Sequence, residues 1–199
     1  PGKVLGIIGQ SGSGKSTLGR LLVGLEPATS GQVKIDGQDA SVLLAQDRKA
    51  FYRRVQMVFQ DPYGSINPQH DVLETVTRPL RYQGEPAGPA LRQRAVEVLE
   101  RVGLRPAERY LATHPHRLSG GQRQRLCIAR AIIMEPRYLV ADEPISMLDV
   151  SIKWDIIRLL KRLVNEQGLA LVYITHDLAT VRTLCHEVAI MLAGDIVEY

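Results

Sequence analysis

A chain of 199 residues, 45% hydrophobic and 23% charged, has ordinary globular composition, which argues against a disordered or fibrous chain and predicts one domain, or one domain with a lobe. Its 25 Lys and Arg exceed its 21 Asp and Glu by a net charge of +4, an excess too modest and too scattered, from Arg20 to Arg182, to predict a polyanion-binding face. The two cysteines, Cys127 and Cys185, are too few for a disulfide framework and fit a reducing, intracellular setting, and no apolar run approaches the ~20 residues that cross a bilayer.

Val4 to Ile8 is a short apolar run closed by Gly9, and Leu18, Leu21, Leu22 and Leu25 then recur at helical spacing, which predicts strand, glycine loop, helix. Gln32 to Asp36 alternates apolar and polar between two glycines and predicts a strand of a small β region; Val55 to Phe59 predicts another. Prolines 62, 68, 79, 86, 89, 106 and 115 then punctuate the chain, while Leu91, Ala95, Val98, Leu99 and Val102 share a helical face. Residues of about 61–117 are therefore expected to form an inserted helical lobe. A helix from Gly121 to about Met134 leads to a buried strand, Tyr138 to Ala141, closed by Asp142–Glu143. Ile152, Ile156, Leu159 and Leu163 mark an amphipathic helix, Leu169 to Ile174 a strand ending at Thr175–His176, and Val188 to Leu192 one more. Strand and helix alternation with polar residues just past strand ends predicts an α/β domain whose mostly parallel sheet carries its site along that edge.

Residues 9–16 fit G-x-x-x-x-G-K-[ST] between a predicted strand and a predicted helix, the context a phosphate-binding loop requires. Gly9, Ser11, Gly12, Ser13 and Gly14 let backbone N–H groups face inward as an anion nest, and the following helix start, at Ser16 and Thr17, adds a favourable field. Lys15 reaches the outer phosphates and Ser16 offers a hydroxyl to Mg²⁺, so a nucleoside triphosphate is the natural occupant. Asp142 at the end of a buried strand suits the metal shell, and Glu143 beside it suits an attacking water as base or orienter. Alone, that pair is an acidic turn before Pro144; beside a phosphate loop the functional reading is the better one.

Leu118-Ser119-Gly120-Gly121-Gln122 is the most specific string in the chain. Ser119 with Gln122 matches a capping box that opens the next helix. Two glycines in a first helical turn cost roughly 1 kcal/mol each against alanine, so something requires a bare backbone there. A bare helix start with a serine hydroxyl is a second phosphate-binding surface, and since residues 9–16 already hold one nucleotide, this one is expected to serve a nucleotide bound to another copy or homologue in a sandwich dimer. His114 and His116, separated by Pro115, are expected to be loop residues rather than metal ligands.

The phosphate loop, Gln60 in Val58-Phe-Gln-Asp61, the Leu118 to Gln122 signature, Asp142–Glu143, Ser146-Met-Leu-Asp149 and His176 occur in the order seen in the ATP-binding cassette (ABC) ATPases, which nearly the whole chain resembles. The resemblance implies a P-loop NTPase fold: a mostly parallel sheet, a small antiparallel β region and the helical lobe, in a single domain spanning 1–199 and truncated at both ends. It implies ATP and Mg²⁺ as cofactors, with Gln60 joining Ser16 and Asp142 around the metal, sensing the γ-phosphate and linking to the transport channel. It also implies that Asp149 crosses the dimer interface and that His176 holds the γ-phosphate and Glu143 in place. Met147 stands where the family usually has alanine, and the family's adenine-stacking aromatic would precede Pro1, so that contact is expected to be absent or supplied elsewhere.

Residues 55–68 and Thr175-His-Asp-Leu178 are similar to the oligopeptide, dipeptide and nickel importer branch, to which archaeal sugar importers are also similar. The implied partners are a second ATPase subunit, identical or homologous, integral membrane permease subunits and an extracytoplasmic substrate-binding protein, with the chain peripheral on the cytoplasmic face of the cell membrane and no nucleic acid bound. The alternative is a soluble ABC ATPase acting on nucleic acid or ribosomes. DNA-acting members resemble a cassette split by a long coiled coil, but no sustained heptads lie between Ser16 and Ser119, and translation-associated members resemble a tandem, of which one cassette is visible.

Overall fold

The structure, a computed structural model, describes residues 2–199. In chain order the elements are β1 (Val4–Ile8), α1 (Lys15–Leu22), β2 (Lys34–Ile35), β3 (Gln38–Asp39), α2 (Ala40–Gln46), α3 (Arg48–Arg54), β4 (Val55–Val58), α4 (Val72–Gln83), α5 (Pro89–Arg101), α6 (Gly120–Ile132), β5 (Tyr138–Asp142), α7 (Val150–Gln167), β6 (Ala170–Thr175), α8 (Leu178–Leu184), β7 (Glu187–Leu192) and β8 (Asp195–Glu198). They divide into two compact units. One comprises the residues up to Met57, Arg137–Glu143 and Leu160–Tyr199; the other comprises Val58–Pro136 and Pro144–Leu159.

The first unit is an α/β unit. Its sheet has strand order β4-β5-β6-β1-β7-β8; β6 and β7 flank β1 in parallel, β5 is parallel to β6, and β8 is antiparallel to β7. Apolar runs rather than alternating ones form β5 and β6 because they are covered on both faces: Leu139, Val140, Ala141, Leu171, Tyr173 and Ile174 are all buried. Burial raises the Tyr173 hydroxyl pKa to about 12. Helix α1 lies close against this sheet through Gly19, where a Cβ would meet Ile174 Cδ1 at 2.9 Å.

The small β region is shorter than the sequence pattern suggests. Only Lys34–Ile35 of residues 32–36 is paired, with Gln38–Asp39, because Asp36 (φ 52°) and Gly37 (φ 79°) make a tight two-residue hairpin turn. Helices α2, α3 and α8 carry no apolar periodicity long enough to announce them. Their N-caps do: Asp39, Asp47 and Asp177 accept hydrogen bonds from the amides of Ser41, Ala50 and Ala179.

The second unit is helical, and the expected lobe of about 61–117 lies within it. Helices α4, α5 and α6 bury Val72, Val76 and Leu80, then Ala95, Val98 and Leu99, then Leu126, Ile128 and Ala129. Arg94 ties the unit together, pairing with Glu85 at 2.6 Å and donating to the Ile133 carbonyl that ends α6. Among the described residues no helix is long and apolar enough to cross a membrane.

Candidate functional site

Strand register assembles the site in the first unit. Ile8 of β1 is level with Thr175 of β6, and Asp142 of β5 with Ile174, so the glycine loop, Asp142–Glu143 and Thr175–His176 leave the carboxyl ends of three adjacent parallel strands together. The loop over residues 9–14 turns into α1 through Gly14, whose φ of 97° is left-handed and which provides no side-chain cap. A Cβ on Gly9 would meet the Met191 carbonyl oxygen at 2.2 Å, and the Gly194 amide donates to the Ser13 carbonyl, so the β7–β8 turn braces the loop from behind. The sequence signal for that brace is Gly194, two residues past the end of β7. Ser11, Gly12 and Thr17 are exposed, Ser16 is half-buried, and Ser13 is buried.

Lys15 is buried, and its ammonium donates to the carbonyls of Gly9 (2.9 Å) and Gln10 (2.7 Å), with Ser13 Oγ at 3.5 Å. The lysine therefore sits inside the loop it serves. Asp142 is also buried; desolvation pushes its pKa up, opposed by a hydrogen bond from Ser16 and aggravated by neighbouring Glu143. Among the described residues its Oδ1 has no hydrogen-bond partner. Glu143 holds a left-handed φ of 43°, a conformation that costs on the order of 1–3 kcal/mol and clusters at working sites. Its amide donates to the Ile174 carbonyl, and its Oε1 lies 3.0 Å from His176 Nδ1, whose ring is largely exposed.

The second unit carries the other sequence-selected residues. Gln60 is exposed shortly past β4. Asp149 is exposed at the start of α7, where its carbonyl accepts from the Lys153 amide. Ser119 caps α6 with the full capping box: its hydroxyl accepts from the Gln122 amide at 3.2 Å and its own amide donates to Gln122 Oε1 at 2.9 Å. The two glycines behind it differ. A Cβ on Gly121 would meet Ile152 Cγ2 at 2.6 Å, so the packing of α6 on α7 demands that glycine, whereas one on Gly120 would meet only Leu148 Cδ2 at an ordinary 3.6 Å. Internal packing explains Gly121 and leaves Gly120 unexplained.

Among the described residues no group of three or more His, Cys, Asp and Glu could hold a metal, and His114 and His116 only stack obliquely, 5.8 Å apart. Burial pushes the Cys127 thiol up and that of the half-buried Cys185 up to about 11, which disfavours the thiolate at both.

A glycine loop between a buried parallel strand and a helix, with a carboxylate pair on a nearby strand end, defines a P-loop nucleotide-binding domain. The chain belongs to the ABC transporter family, whose family model matches residues 1–146. It is 45% identical over 198 residues to the glutathione import ATP-binding protein GsiA of Salmonella choleraesuis (strain SC-B67) and 43% identical to that of Escherichia coli (strain K12); in both the match covers 100% of this chain and 32% of the relative. The chain thus spans about a third of the length of the curated relatives it matches. Among solved structures it resembles the ATP-binding cassette MJ0796, described as a dimer in a post-hydrolysis state bound to ADP and Pi, with TM-score 0.87 and 34% identity over 99% of this chain and 84% of that one. CbiO1 from Clostridium perfringens, described as part of the ABC transporter complex cbiONQ, matches with TM-score 0.82 and 30% identity over 99% and 76%.

Proposed function

We propose that this chain binds and hydrolyses ATP to power solute import by an ABC transporter. The observation that carries the reading is the alignment of three parallel strand ends, which brings Lys15 and its loop, Asp142–Glu143 and His176 to one edge. In this reading the loop amides and Lys15 take the phosphates. Glu143 orients the attacking water and accepts its proton, and His176 steadies Glu143 through their 3.0 Å contact.

Mg²⁺ fits the residues present. The Ser16 hydroxyl and the Asp142 carboxylate are hard oxygen donors already in contact, and the buried, unpartnered Asp142 Oδ1 gains a counter-charge when a cation binds. The ion's chemistry there is neutralisation of phosphate charge.

Ser119, Gly120, Gly121, Gln122 and Asp149 are assigned to a second subunit's nucleotide in a head-to-tail dimer, homo- or heteromeric. Gly120, bare for no packing reason, supports that assignment. Integral membrane permease subunits and an extracytoplasmic substrate-binding protein complete the machine, with this chain peripheral on the cytoplasmic face. The import relatives point to a peptide-class solute such as glutathione. Nothing favours the nucleic-acid or ribosome alternative.

Glu143→Gln tests the reading. It is expected to keep ATP binding, to lose turnover by about 10²–10⁴-fold, and to accumulate an ATP-held dimer visible by light scattering after size exclusion. Turnover at the parental rate removes Glu143 from its role.

A further inference from the structure

Arg123 directly follows the Ser119–Gln122 turn and is buried, 4% exposed, a costly place for a fixed positive charge. Its guanidinium is spent on backbone that leads into the turn: Nε and Nη2 donate to the Pro115 carbonyl at 3.0 and 2.9 Å, and Nη2 also donates to the Leu118 carbonyl at 3.1 Å. Its Nη1 makes no hydrogen bond among the described residues. The guanidinium carbon instead lies 3.7 Å from the centroid of the Tyr63 ring. Tyr63 is 60% exposed, so this large apolar face is held at the surface by the arginine beneath it. Lower on the same face of α6, Cys127 lies 3.5 Å from Ser65 Oγ and Arg130 donates to the Ser65 carbonyl. One stripe of α6 thus grips residues 63–65, and Tyr63 stands three positions after Gln60.

We propose that Arg123 is a positioning residue for the Ser119–Gln122 turn and that the Tyr63 ring, by capping it, ties that turn to the segment carrying Gln60. Fixing the Pro115 and Leu118 carbonyls sets the backbone entering the helix, and so the aim of Ser119 and the first amides. Displacing the Gln60 segment lifts the ring, leaves the buried guanidinium short of a partner, and loosens the turn. This proposal rests on the assignment of the turn to a second subunit's nucleotide.

The test places Tyr63→Leu, Tyr63→Phe and Arg123→Lys in the full chain, each with and without Glu143→Gln. A fluorescent ATP analogue measures nucleotide binding, light scattering measures the ATP-held dimer, and steady-state kinetics separate kcat from KM. Tyr63→Leu and Arg123→Lys are expected to bind nucleotide at parental affinity, to weaken the dimer about tenfold and to lower kcat with KM unchanged. Tyr63→Phe, which keeps the π face, is expected to match the parent. Because Tyr63 is on the surface, its variants report even where Arg123→Lys fails to fold. A parental dimer in Tyr63→Leu, or equal losses in Tyr63→Leu and Tyr63→Phe, overturns the proposal. If Glu143→Gln alone forms no ATP-held dimer, the assignment of the turn itself falls and takes the proposal with it.

Discussion

Helices α1 and α6 both start in glycine-rich turns, yet they treat their first amides differently. At α1 the N-cap is a left-handed glycine with no capping side chain, and the nearby cation, Lys15, is buried against loop carbonyls. At α6 a serine and a glutamine satisfy each other's backbone amides, and the serine stands exposed. A helix start that keeps its amides open suits an anion bound deeply there, because orphan N–H groups are tolerable only where a ligand or water takes them. A self-capped start is stable by itself and suits a surface that meets a ligand held elsewhere.

The contrast breaks most sharply at Lys15. Lys15→Ala is expected to weaken ATP binding on the order of 10–100-fold, measured by titration calorimetry, since it removes charge-assisted bonds to phosphate. Unchanged affinity would erase the distinction between the two helix starts.

The paired glycines sharpen it next. Gly121→Ala forces a methyl onto Ile152 and is expected to lower the melting temperature by about 5 °C. Gly120→Ala is expected to leave melting unchanged or slightly raised, because alanine favours the helix, while weakening the ATP-held dimer of the Glu143→Gln protein. Equal melting losses would sink the packing account.

The smallest effect concerns the buried carboxylate. The Asp142 pKa is raised in the fold above its ordinary 3.8, so the folded state binds the proton more tightly than the unfolded one. The stability this supplies is present below that ordinary value and lost as pH rises through the raised native one. Asp142→Asn is therefore expected to raise the nucleotide-free melting temperature at pH 7 by about 2–4 °C, an advantage that disappears below pH 3.8. A thermal scan across pH checks both limbs.

Long apolar runs were legible in the chain because they carry no polar alternation to confuse them: β1, β5, β6 and β7 fall where Val4–Ile8, Tyr138–Ala141, Leu169–Ile174 and Val188–Leu192 suggest, although β7 buries only Ala189 and Met191 and leaves Leu192 exposed. Helices α2, α3 and α8 were not, because seven residues make too short a window for period 3.6, and only their aspartate caps mark them.

The sequence by itself determined the local chemistry: a glycine loop between strand and helix, a carboxylate pair at a strand end, and a capping box before a bare turn, each a matter of residue type at short spacing. Tertiary structure alone decided which of these meet. Parallel register levels Asp142 and Thr175 with the glycine loop, the fold leaves Asp142 Oδ1 buried without a partner, and the approach of α7 separates Gly121, which packing requires, from Gly120, which it does not. The reason is physical: propensity and capping act over a few neighbouring residues, whereas register, desolvation and close contact depend on segments that only the folded chain brings together.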